Sequence, residues 1–214
     1  MKLRKDILTA FYIQAIVIGI IFIGWMIGFS IEKIGLFISP IIYVVALVMF
    51  YVLEKNKNKV HAVTFVTSFA TGILIGSFIS EYSNDIIITL KTFLVLILFV
   101  IFIHGLLLII PYPKTITILA ILLIMPAIIF GFTKFDLVFA KGLTLLGINL
   151  LFTLIGLLIY FYKNKNLDRY MAGSLLWAFI VIFIIIIIIL SEGEALSGLD
   201  GADIRSNKKR KKKV

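Results

Sequence analysis

The 214-residue chain contains no cysteine, which removes disulfides, thiolate nucleophiles and cysteine-ligated metals together. It has only two histidines, His61 and His104, and neither has a carboxylate close to it in sequence. HExxH, GxSxG and the phosphate-cradling glycine loop are all missing. No metal and no cofactor is therefore expected. The carboxylates are sparse and segregated: none of the 11 Asp and Glu residues falls inside an apolar run. That argues against an intramembrane aspartyl protease and against a carboxylate proton relay. GLDGAD (Gly198–Asp203) superficially matches a GxGD aspartyl motif, but it lies in a polar tail with no apolar helix after it.

What the chain has in place of chemistry is apolar length. It is 62% hydrophobic, with a mean hydropathy of +1.16, where soluble domains sit near about 45–50% apolar. Seven runs stand out: Ile7–Phe29, Gly35–Leu53, Val60–Ser80, Ile86–Ile110, Ile116–Thr133, Val138–Tyr162 and Tyr170–Leu190. As a helix the central run, Ile86–Ile110, spans about 37 Å against a hydrocarbon core of about 30 Å. In oil the backbone satisfies its own polar groups, so each run reads as a helix. The expected fold is all-α, a polytopic bundle of about seven transmembrane spans over residues 1–190. Residues 191–214 are expected to form a polar, basic, disordered tail. Run one is too long for a cleavable signal peptide, and no small-residue cleavage site follows it.

The net charge of +10 is mainly a topology signal. The N-terminus, EKNKNK, PYPKT and the 163–169 loop carry ten Lys and Arg between them, whereas the alternate loops carry only Lys33 and Lys134. The first set is expected on the cytoplasmic side, with the N-terminus inside, in the plasma membrane of a prokaryote. Seven spans then place the basic tail outside, against that same rule. Where cytoplasmic, Lys208–Lys213 would meet anionic lipid headgroups. Nucleic acid is not an expected partner; a membrane-protein partner or a second copy is.

Packing signals fall on particular runs. Thr64, Ser68, Gly72 and Gly76 recur every four residues on run three, a small-residue ridge that allows close helix contact, and run one carries Gly24 and Gly28. Run six carries Gly142, Asn149, Thr153 and Gly156 on one stripe. Runs one, three and six are accordingly placed at the bundle centre, and Val181–Leu190 is read as lipid-facing. Gln14, Thr67, Thr71, His104 and Asn149 read in two ways: as glue between helices, or as the lining of a polar path for a solute or ion. KNKN at 55–58 recurs at 163–166, an offset of 108, and Lys33 falls on Lys141 at the same offset. A three-plus-one-plus-three repeat would follow, with run four as the joining helix.

The segment VTFVTSFATGILIGSFISEY (Val63–Tyr82), the seven runs and the lysine-rich tail together resemble the Bax inhibitor-1 family of seven-helix membrane proteins. The resemblance implies a pH-gated cation leak controlled by paired aspartates in the last two helices. Here those positions fall around Phe161 and Ala178, and neither run holds an acidic residue. Three function classes remain: a small transporter, channel or permease subunit; a non-catalytic scaffold or assembly subunit; and a membrane enzyme. For the enzyme, Asp168, Arg169 and His61 are the only loose candidates.

Overall fold

The computed structural model describes the backbone of residues 2–53, 60–82, 86–134, 138–163 and 166–210. Seven helices account for nearly all of it: α1 (Lys2–Ile31), α2 (Lys33–Leu53), α3 (Val60–Ser80), α4 (Ile86–Ile109), α5 (Pro113–Thr133), α6 (Val138–Lys163) and α7 (Leu167–Arg210). All seven are long and apolar enough to cross a membrane, and no strand occurs among the described residues. This is an all-helical bundle with the architecture of a multi-pass membrane protein.

The helix ends depart from the apolar runs for local reasons. α1 takes in the basic N-terminal turn, because Lys and Arg are good helix formers and nothing before Ile7 breaks the helix. The turn expected at Ser30–Ile34 shrinks to one residue, Glu32, at φ 50°. That single left-handed residue redirects the chain, and the Gly35 amide closes back on its carbonyl at 3.0 Å. α5 starts at Pro113 rather than Ile116, since proline suits the first helical turn, where its missing N–H costs nothing. α7 begins at Leu167, three residues early, so Asp168 lies in its first turn. Its backbone is helical to Arg210, well past the end of the apolar run. The EKNKNK loop and the side chains of Lys208–Lys213 lie outside the described residues. Two prolines unremarked in sequence, Pro40 and Pro126, sit inside α2 and α5. Membrane helices tolerate them where neighbours re-satisfy the freed carbonyls.

Cross-helix polar pairs show that the helices alternate in direction. Tyr160 at the end of α6 donates to Asp6 at the start of α1 (2.6 Å), and His61 at the start of α3 meets Asp168 at the start of α7 (3.4 Å). The Lys114 ammonium lies 4.6 Å from the centre of the Tyr162 ring. Those groups mark one end of the bundle. At the other, Lys33 pairs with Glu81 at 3.3 Å, and the buried Lys141 lies over the Tyr82 ring at 3.2 Å. Burial and the adjacent Glu81 carboxylate push the Tyr82 hydroxyl above its ordinary pKa, so that ring stays neutral beneath the cation.

The centre is where the small residues are. Seventy-eight per cent of the α3 span and 67% of the α6 span are buried, against 17% for α2. α1 and α3 run parallel, and their closest approach is backbone on backbone: a side chain on Gly24 would meet the Phe69 carbonyl at 2.5 Å and Gly72 Cα at 3.1 Å. Gly28 lies against Ile73, and Gly76 against Trp25. Ser77 adds a hydrogen bond to the Gly28 carbonyl at 3.0 Å. Without a hydrophobic force between helices in lipid, such close contact and such bonds supply the attraction. The distal part of α7 is not wholly lipid-facing as expected: Ile182 and Ile186 are buried, while Ile184, Ile187 and Ile188 are exposed. An all-apolar helix carries no stripe to show which side its neighbours will cover. The two expected halves also pack differently. In the first, α1 leans mainly on α3, and in the second, α5 leans on α6 and α6 on α7.

Candidate polar site between α1 and α6

Asn149 and Thr153 are four residues apart on α6, one turn above each other on the same face. That face meets α1 at Gln14. The Gln14 amide Nε2 donates to Thr153 Oγ1 at 3.1 Å, and Thr153 passes its own proton to the Leu150 carbonyl at 2.7 Å. The depth follows from the helix ends: Gln14 is eight residues past Asp6 and Thr153 seven before Tyr160, so the bond lies about 10–12 Å inside the end that those two mark.

Asn149 is 4% exposed, and its Nδ2 has no hydrogen-bond partner. It borders a small cavity of about 10 Å³ that Gln14 and Thr153 also line, with Val17, Ile18, Leu96, Leu146 and Leu150 completing the wall. That is about the space one water needs. An orphaned buried amide donor costs about 1–3 kcal/mol, a cost that a leucine in the same place would not incur. No ionisable side chain lines the cavity. The arrangement can hold one small hydrogen-bonding species through neutral amide and hydroxyl groups.

The remaining candidates lie elsewhere. His104 on α4 is 2% exposed, and its Nδ1 lies 3.0 Å from the Val100 carbonyl. A carbonyl only accepts, so Nδ1 carries the proton and Nε2 is left as an acceptor, without a partner. Its ring packs on Phe11, 5.2 Å between centroids, one turn before Gln14, yet His104 does not line the cavity. Thr67 and Thr71 are fully buried on α3, with Thr71 bonded to the Thr67 carbonyl at 2.9 Å; they do not line it either. Ser68 bonds the Thr64 carbonyl at 2.7 Å, closing that ridge on itself. Gln14 and Asn149 are thus brought together, while Thr67, Thr71 and His104 are not.

Sequence distance hid three pairings. His61 has no carboxylate close to it in sequence, yet Asp168, named beside it among the loose enzyme candidates, reaches it from 107 residues away. Both side chains are more than a third exposed, and the pair caps α3 on α7. Asp6–Tyr160 and Lys141–Tyr82 likewise had no sequence signal beyond an aromatic near a run end. No group of three metal-binding side chains occurs among the described residues. The chain matches no family model, no curated protein and no solved structure, so the likeness over Val63–Tyr82 to the Bax inhibitor-1 family adds nothing to the reading of this site.

Proposed function

We propose that the chain is a small transport protein, a channel or permease subunit, that handles an ion or a small polar solute at the Gln14–Asn149–Thr153 site. One observation carries the reading: the unpartnered Asn149 amide beside a water-sized space, deep in a bundle that apolar residues would fill at lower cost. The cavity has room for about one water in this conformation, so passage of anything larger requires α1 and α6 to part. The lysine distribution between alternate loops supports a cytoplasmic N-terminus and a prokaryotic plasma membrane. The test is flux. The protein is reconstituted in liposomes in both orientations and screened against cations and neutral metabolites. A flux above empty liposomes that Asn149→Leu abolishes is expected; no flux in either orientation overturns the proposal.

A second reading, a non-catalytic assembly subunit, draws on the α1–α3 contact, where backbone meets backbone and leaves little freedom to rock. A stoichiometric partner recovered by mild-detergent pull-down, together with absent flux, favours it over transport.

A further inference from the structure

Between α1 and α4 runs a lateral cleft of about 500 Å³, whose wall shares Ile18 with that of the polar site. Its wall is wholly apolar. Ala15 and Gly19 form its floor on α1, Phe93 closes its depth, and Leu90, Leu94 and Ile97 form its rim on α4. The floor is hollow because the residues there are small: a side chain on Gly19 would meet nothing within 4 Å. From Phe11 to Phe22 on α1 the cleft is about 16 Å long, close to half the hydrocarbon thickness. It opens sideways among exposed apolar side chains, where the solvent is lipid.

Among the described residues, a charged side chain lies near one end of it. Lys91 follows the cleft's Leu90, is exposed, and lies about 100° further round α4, within reach of a headgroup above the cleft through its long stem. It lies near the start of α4, at the end of the bundle marked by the Lys33–Glu81 pair. A lysine there extends its stem along apolar surface and sends its ammonium to headgroup depth. We infer that this cleft is a binding site for an anionic phospholipid, one acyl chain lying between α1 and α4 and the phosphate meeting Lys91. The shape supplies the apolar half of the ligand and the charge supplies the anionic half. This site stands whether or not the protein transports.

Trp25 reports on it directly. The indole is 1% exposed, shielded from bulk lipid, and stacks edge-on to Phe93 at 5.2 Å. A heavy-atom acyl chain in the cleft therefore sits one ring away from it. The experiment uses the full chain carrying Trp177→Phe, which removes the exposed tryptophan, in vesicles containing dibrominated phosphatidylglycerol or dibrominated phosphatidylcholine. Trp25 fluorescence is expected to be quenched by both, with an apparent affinity about fivefold higher for the anionic lipid. Lys91→Gln should bring that ratio to about one without touching the fold, since the side chain is exposed. Gly19→Leu fills open space and should remove most of the quenching by either lipid. Equal quenching in the Gly19→Leu variant overturns the acyl-chain site, and a headgroup preference that survives Lys91→Gln overturns the phosphate contact. A Gly19→Cys variant that forms a disulfide-linked dimer in the membrane while quenching is absent would show that a second copy covers the cleft, and would overturn the lipid site.

Discussion

The Cα of Trp25 lies 2.8 Å from where a side-chain carbon on Gly76 would stand. Two backbones, α1 and α3, therefore touch where sequence shows only a glycine, and neither can yield without moving a helix. Gly76→Val should destabilise the protein by about 1–3 kcal/mol or prevent α1 docking, as overpacking does. Gly105 on α4 is the control, because a side chain there meets nothing within 4 Å. Gly105→Ala should be neutral or stabilise by about 0.5–1 kcal/mol. Unfolding in mixed detergent micelles measures both, and equal effects would contradict the close-packed interface.

Asn149→Leu separates stability from function. The substitution removes an orphaned amide and fills a small void, so stability should hold or rise by about 1 kcal/mol. Any flux the parent supports should be lost. A large loss of stability would show instead that the amide has a partner in the native membrane and serves packing.

The bond between Gln14 and Thr153 invites a double-mutant cycle with Gln14→Leu and Thr153→Val. Both side chains are buried, 3% and 1% exposed. Polar pairs between membrane helices average about 0.6 kcal/mol, because the separated helices find other partners in the bilayer. A coupling of about that size is expected from unfolding of the four proteins. A coupling of zero would mean that the 3.1 Å contact contributes proximity without energy.

The absence of native cysteine makes topology directly testable. Lys33→Cys and Glu81→Cys should react with an impermeant maleimide from one side of sealed membranes, and Lys114→Cys from the other. The Lys33→Cys, Glu81→Cys double variant should be bridged within one chain by a short bifunctional maleimide, since the tips of the parent side chains approach to 3.3 Å. Labelling of all three positions from one side would break the alternating arrangement.

Seven helices were legible because in lipid a run of about 20 apolar residues has one low-energy backbone solution, whatever its neighbours are. The same rule placed runs one, three and six at the centre, since small and polar residues have no reason to face oil; α3 and α6 are mostly buried, α1 less than half. It failed at α7, where Ile182 is buried and Ile184 exposed within one uninterrupted isoleucine stretch. It also failed at the helix ends, where the left-handed Glu32 and the first-turn Pro113 set the boundary and hydropathy did not.

The chain alone thus determined that its backbone closes on itself in helices and that its few polar side chains turn inward, because both follow from the solvent and the order of residues. Tertiary packing decided which of those side chains meet. Gln14 finds Thr153 across 139 residues and His61 finds Asp168 across 107, while Thr67 and His104 are left out of the cavity. Hydrogen bonds act over about 3 Å, and nothing in a linear sequence fixes which helix faces stand that close.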